Sequence, residues 1–224
     1  MKRSIVKFLW ESHRRSLLDF KGLKNNTICF DDKFLDLFID VYYQRRALLS
    51  LREMYNIYAL VQKVKSIEGD IVEVGVYKGG SARIICEVKE RKSLHLFDTF
   101  EGMPEVAEVD TPVFRTGQCV PVYDEVVKLL APYPRIHLHK GFFPDTTAPA
   151  EHLKFSLVHL DPDIYDSMKA GLGFFYPRMS SGGVILLHDY PNGPGVVKAI
   201  NEFMADKPQT FFEAGWRQCF IVKP

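Results

Sequence analysis

The segment that most constrains the fold is Gly69-Asp70-Ile71-Val72-Glu73-Val74-Gly75-Val76-Tyr77-Lys78-Gly79-Gly80-Ser81-Ala82, a β-branched run that empties into a glycine-rich turn and then a helix-like stretch. Glycines remove the side chains that would block a close ligand, and they tolerate dihedrals closed to other residues. A tight strand-to-helix connection with no ligand would use the same glycines. From here onward, apolar runs at 70–76, 93–98, 135–140, 155–161, 183–189, 210–214 and 217–222 alternate with helix-like stretches at 80–90, 123–130, 167–176 and 195–205. Alternation of this kind predicts an α/β fold with a mostly parallel sheet covered by helices on both faces. Only Gly215 and Trp216 separate the last two runs, too short a link for a parallel crossover, so a seven-stranded sheet ending in an antiparallel hairpin is expected.

At 224 residues and 46% hydrophobic composition the chain can bury one large core. Residues 1–68 read as a helical extension and 69–224 as the core domain. Two stripes in the extension, Phe34 to Tyr42 and Met54 to Val64, recur at helical spacing. They serve either to cover the sheet or to cap a site and support self-association as a dimer. With 29 basic against 28 acidic residues, nothing draws the chain to nucleic acid or an anionic membrane, and a small-molecule partner fits better. Cys29, Cys86, Cys119 and Cys219 form no C-x-x-C pair, which suits reduced thiols in the cytoplasm. Lys7 and Glu11 interrupt the start before a signal-peptide core develops, and no stretch reaches the roughly 20 apolar residues of a membrane span.

Two acids mark a ligand-binding end. Glu73, late in the first strand, could accept a hydrogen bond from a ligand ammonium group such as that of S-adenosylmethionine (SAM), and would repel a pyrophosphate. Asp98 ends the second strand, where an acid accepts bonds from ribose hydroxyls. SAM and dinucleotides both carry a ribose, but the terminal hairpin favours SAM. At the end of the third strand, Phe142 or Phe143 could stack on adenine or simply fill the core.

The fourth and fifth strands end in His159-Leu160-Asp161-Pro162-Asp163 and Leu187-His188-Asp189-Tyr190. Ligands of open α/β sheets bind outside the carboxyl ends of the strands, so these residues converge on the same crevice. Clustered carboxylates repel one another unless a cation or proton intervenes. Asp161 and Asp189, with His188 as a possible third, are therefore candidate ligands for Mg2+ or Mn2+. Asp163 could take the proton from an attacking hydroxyl, or cap the next helix. His159 reads as a core histidine.

Together with Phe-Asp-Thr-Phe-Glu-Gly-Met-Pro-Glu, Lys-Gly-Phe-Phe-Pro-Asp-Thr and Ser-Gly-Gly-Val-Ile-Leu-Leu-His-Asp-Tyr, these segments resemble the macrocin O-methyltransferase family across residues 54–207. The resemblance implies a Rossmann-like class I SAM methyltransferase fold and magnesium-dependent methylation of a small-molecule hydroxyl in natural-product biosynthesis. It implies that Glu73, Gly75, Gly79, Ser81, Asp98 and Thr99 line the SAM pocket beside Phe142 and Asp161, that Asp161 and Asp189 hold the metal, and that Asp163 is the base. The chain departs from the family at His188, where a second aspartate is usual, and its 104–118 stretch, a lid, is reduced. A nicotinamide-dependent oxidoreductase and a non-catalytic SAM-binding module are the alternatives.

Overall fold

The computed structural model describes residues 30–44, 46–111 and 113–224. The basic start and Cys29 lie outside the described residues. Asp36–Pro224 forms one compact unit. This unit thus begins well before Gly69 and includes the second amphipathic stripe.

In chain order the elements are α1 (Asp32–Tyr43), α2 (Leu51–Lys63), β1 (Asp70–Val74), α3 (Gly80–Val88), β2 (Leu94–Asp98), α4 (Tyr123–Leu130), β3 (Ile136–Lys140), β4 (Phe155–Leu160), α5 (Tyr165–Phe175), β5 (Met179–His188), α6 (Pro194–Met204), β6 (Phe212–Gly215) and β7 (Gln218–Val222), with 3-10 turns at Ala148–Ala150 and Tyr176–Arg178. α2 starts in a capping box: Ser50 Oγ accepts from the Glu53 N–H at 3.4 Å, and Glu53 Oε2 accepts from the Ser50 N–H at 2.6 Å. β5 begins at Met179 rather than at 183: Phe155 registers with Met179 and Leu157 with Val184 across an irregular stretch, and Gly182 and Gly183, which lack a β-branched signature, exchange backbone bonds with Lys223.

All seven strands form one sheet in the order β3-β2-β1-β4-β5-β7-β6. β1 through β5 pair in parallel, whereas β7 runs antiparallel to both β5 and β6. Chain order reverses between β1 and β4, so the crevice outside their carboxyl ends is where a ligand fits. Phe155, Leu160, Leu172, Phe175, Ile185 and Ile200 form the heart of a core between the sheet and helices α5 and α6. Burial of such side chains contributes roughly 1.5–3 kcal/mol each. Cys86, Cys119 and Cys219 are free. Among the described residues no helix is long and apolar enough to cross a membrane.

Candidate active site

β1 stops at Val74 because Gly75 turns the chain at φ +88°. Val76 and Tyr77 then donate their backbone N–H groups to Asp98 Oδ2 at 2.8 and 2.9 Å, while Asp98 Oδ1 accepts from the Phe100 N–H at 2.7 Å. Asp98 thereby fixes the glycine turn and its own following loop, and Thr99 tightens that loop by donating to the Gly102 carbonyl at 2.6 Å. On the other side of the turn, the Asp161 N–H donates to the Val74 carbonyl at 2.9 Å, so the tips of β1 and β4 are held together.

One cavity opens at these tips. Gly75, Ser81, Asp98, Thr99 and Phe142 border it together with Asp161, Asp163, His188 and Asp189. Phe142 is 40% exposed there, whereas Phe143 is buried and packs its ring on Phe97 and Phe175. Two of the expected cofactor residues do not border the cavity. Glu73 lies wholly buried in β1, with Oε1 3.0 Å from Nδ1 of His159, itself a core residue. Burial, opposed by bonds from His159 and Ser81, raises the Glu73 carboxyl above the usual carboxylate range. Gly79 faces the side chains of Leu129 and Val126 and is the N-cap before α3.

The chemical end is built around His188. Its Nδ1 lies 2.8 Å from Asp161 Oδ1 and 3.2 Å from Asp189 Oδ2, and its Nε2 lies 3.3 Å from Glu53 Oε1. These are ion-pair distances without hydrogen-bond alignment, which leaves both ring nitrogens and Asp189 Oδ2 as buried polar atoms lacking a hydrogen-bond partner. Burial disfavours the charged ring, but the surrounding carboxylates outweigh it and push His188 up to about 12. Burial and the neighbouring Asp161 and Asp189 raise the Asp163 carboxyl well above its ordinary value. Asp163 sits at φ +65°, a strained position for a residue other than glycine, which aims it back at its neighbours. Donor atoms of Asp161, His188 and Asp189 all lie within 4.8 Å of one another. Two carboxylates and an imidazole with unpartnered buried atoms fit a divalent cation.

Sequence reasoning missed three contributors. Glu53, from α2, reaches His188 and also pairs with Arg217 Nε at 3.1 Å. Burial would raise its carboxyl, but bonds from His188 and Ser50 hold it at about 2. Arg217, from the hairpin turn, lies 3.5 Å from Asp189 Oδ1 and borders the cavity. Asp110, fully buried, accepts from the Tyr165 N–H at 3.0 Å and so ties the 104–118 segment to the start of α5. From that segment, Pro104, Phe114 and Gln118 border the cavity. Only Glu53 left a legible sign, the Ser50-x-x-Glu53 capping box.

Residues 40–210 match the family described as Macrocin-O-methyltransferase (TylF). Demethyldecarbamoylnovobiocin O-methyltransferase from Streptomyces niveus is 28% identical over 181 residues, which cover 70% of this chain and 67% of the relative. A Streptomyces olivaceus enzyme named 8-demethyl-8-(2,3-dimethoxy-alpha-L-rhamnosyl)-tetracenomycin-C 4'-O-methyltransferase is 28% identical over 161 residues, covering 64% of this chain and 62% of the relative. These alignments thus span about two thirds of the relatives' lengths. The solved O-methyltransferase NovP superposes with a TM-score of 0.71 at 24% identity, over 80% of this chain and 82% of NovP. The matched stretch contains the glycine turn and all four strand-tip residues Asp161, Asp163, His188 and Asp189. The chain has the class I fold of SAM-dependent O-methyltransferases and belongs to the macrocin O-methyltransferase family.

Proposed function

We propose that this chain transfers the methyl group of SAM to a hydroxyl of a natural product, on a sugar or a phenol, with Asp163 as general base and a divalent cation held by Asp161, His188 and Asp189. The observation that carries this reading is the meeting of the Gly75 turn and Asp98 with three strand-tip carboxylates around a single cavity. The relatives' names, which specify O-methylation of novobiocin and tetracenomycin precursors, support a hydroxyl acceptor on a polycyclic or glycosylated scaffold.

In this reading the nucleoside half of SAM lies along Gly75, Asp98 and Thr99, with adenine against the exposed ring of Phe142. Any aminoacyl contact falls to groups that border the cavity, such as Ser81, since Glu73 is enclosed in the sheet. The acceptor oxygen attacks the methyl carbon, the carbon–sulfur bond breaks with its electron pair going to sulfur, and the hydroxyl proton passes to Asp163. Asp163 borders the same cavity as Asp161 and Asp189, the location a general base for a hydroxyl seated there requires. A bound cation would supply acidification and alignment of the hydroxyl. Arg217, on the cavity wall, pairs with the Asp189 carboxylate there and with the Glu53 carboxylate buried behind it.

The test is Asp163→Asn, with SAM affinity measured by calorimetry and S-adenosylhomocysteine release measured with demethyldecarbamoylnovobiocin and a rhamnosyl tetracenomycin as acceptors. SAM affinity should hold while turnover falls by about 10²- to 10⁴-fold. Turnover unchanged from the parent would remove Asp163 as the base. SAM binding without methylation of either acceptor by the parent chain would favour a binding module.

A further inference from the structure

We propose that this chain's cation site discriminates against Mg2+ in favour of a nitrogen-accepting divalent ion, Mn2+ or Fe2+, because its third donor is the imidazole of His188, oriented by Glu53. The inference rests on the cation-assisted reading above and adds the identity of the ion.

His188 closes β5 and is held in register opposite Gln218 of β7. Gln218 in turn accepts from Asn56 Nδ2 at 2.8 Å and donates to the Glu53 carbonyl at 3.4 Å, both on α2. Helix and strand are thus clamped together, with the Glu53 carboxylate against one edge of the buried ring. The ring is only 4% exposed, so it cannot swing out to find another partner. With Nε2 facing Glu53 at 3.3 Å, Nδ1 is the nitrogen left to face Asp161 and Asp189.

A carboxylate set against one ring nitrogen orients the imidazole and leaves the other nitrogen as the metal donor, and Glu53 stands in that place at 3.3 Å from Nε2. Nδ1 lies 2.8 and 3.2 Å from the two carboxylate oxygens, so the three donor atoms are grouped closely enough that they would hold one ion together. Nδ1 and Asp189 Oδ2 are both buried and face each other without an aligned hydrogen bond, a pair of donor atoms turned to the same point. Mg2+ takes oxygen donors and retains its waters, whereas an imidazole donor suits Fe2+, and Mn2+ as the neighbouring first-row ion accepts a mixed carboxylate and imidazole set more readily than Mg2+ does. An aspartate at position 188 would complete an all-oxygen set; histidine does not.

The test uses the full chain freed of metal by chelation. Mn2+ binding is followed by loss of the free-ion electron paramagnetic resonance signal, and Mg2+ affinity by competition. Mn2+ should bind at least about tenfold more tightly than Mg2+. His188→Asp should bring the two affinities together, and Glu53→Gln should weaken Mn2+ by about 10- to 100-fold while SAM affinity, read by calorimetry, stays unchanged. Glu53 also caps α2, so if that variant does not fold, His188→Asp still decides. Mg2+ binding as tightly as Mn2+ to the parent chain would overturn the inference and leave the cation-assisted reading standing. Binding of neither ion would overturn both, with SAM-dependent methylation untouched.

Discussion

Gly75 meets two demands that no other residue can satisfy together. Its φ of +88° is strained for an L side chain, and a Cβ there would lie 2.0 Å from the Asp161 carbonyl oxygen and 2.7 Å from its carbon. Both obstacles are backbone atoms of β4's tip, which the Asp161 to Val74 hydrogen bond keeps in place. Gly79 shares a positive φ, +77°, but a Cβ there would meet only the side chains of Leu129 and Val126, at 3.1 and 3.4 Å. Gly75→Ala should therefore cost about 3 kcal/mol or more in urea unfolding, and Gly79→Ala about 1 kcal/mol. Equal costs would mean that the tips of β1 and β4 can separate freely, against the rigid junction described here. Because the same junction sets Asp161 relative to the SAM turn, Gly75→Ala should also weaken SAM binding.

At the level of elements, β2 and β3 present a stacked histidine ladder. His95 stacks on His137 at 4.6 Å between ring centres, and its Nδ1 lies 3.2 Å from His139 Nε2 while its Nε2 lies 3.3 Å from Asp70 Oδ2. His139 in turn stacks on Phe97 at 4.3 Å. Burial, then the nearby His95 and His137, lowers His139 from 6.5 to about 4, and burial followed by His95 lowers His137 as well. The fold favours the neutral rings, while the unfolded chain takes up protons near 6.5. Their contribution to stability is complete above 6.5 and is lost as pH falls from 6.5 toward 4. For the half-buried His139 the loss should be on the order of 1 kcal/mol once solvent screening is allowed for. Urea unfolding of the parent chain and His139→Gln at pH 7 and pH 5 checks this: the parent should lose more stability between the two. Identical losses would show that His139 is solvated rather than held neutral by burial.

Across the whole molecule, the legible features were those written in local pattern. Seven apolar runs became seven strands, and the two-residue link at Gly215 and Trp216 foretold the antiparallel pair. What stayed hidden was set by pairings distant in sequence. Nothing local to β7 shows that it slots between β5 and β6, or that Arg217 meets Glu53, 164 positions away. Glu73 sits late in an apolar strand, and nothing local to it shows that its carboxyl meets His159, a partner 86 positions on. The same distribution yields a further expectation. Among the described residues, those bordering the cavity fall between Arg46 and Arg217, inside the compact unit Asp36–Pro224. The Glu53 and Gln218 clamp that positions His188 also lies within that unit. Removal of residues 1–29 should accordingly leave SAM affinity, measured by calorimetry, within about twofold of the full chain, a difference below roughly 0.4 kcal/mol. A loss of tenfold or more would place a determinant of cofactor binding in those first residues, and the cavity at the strand tips would then be only part of the site.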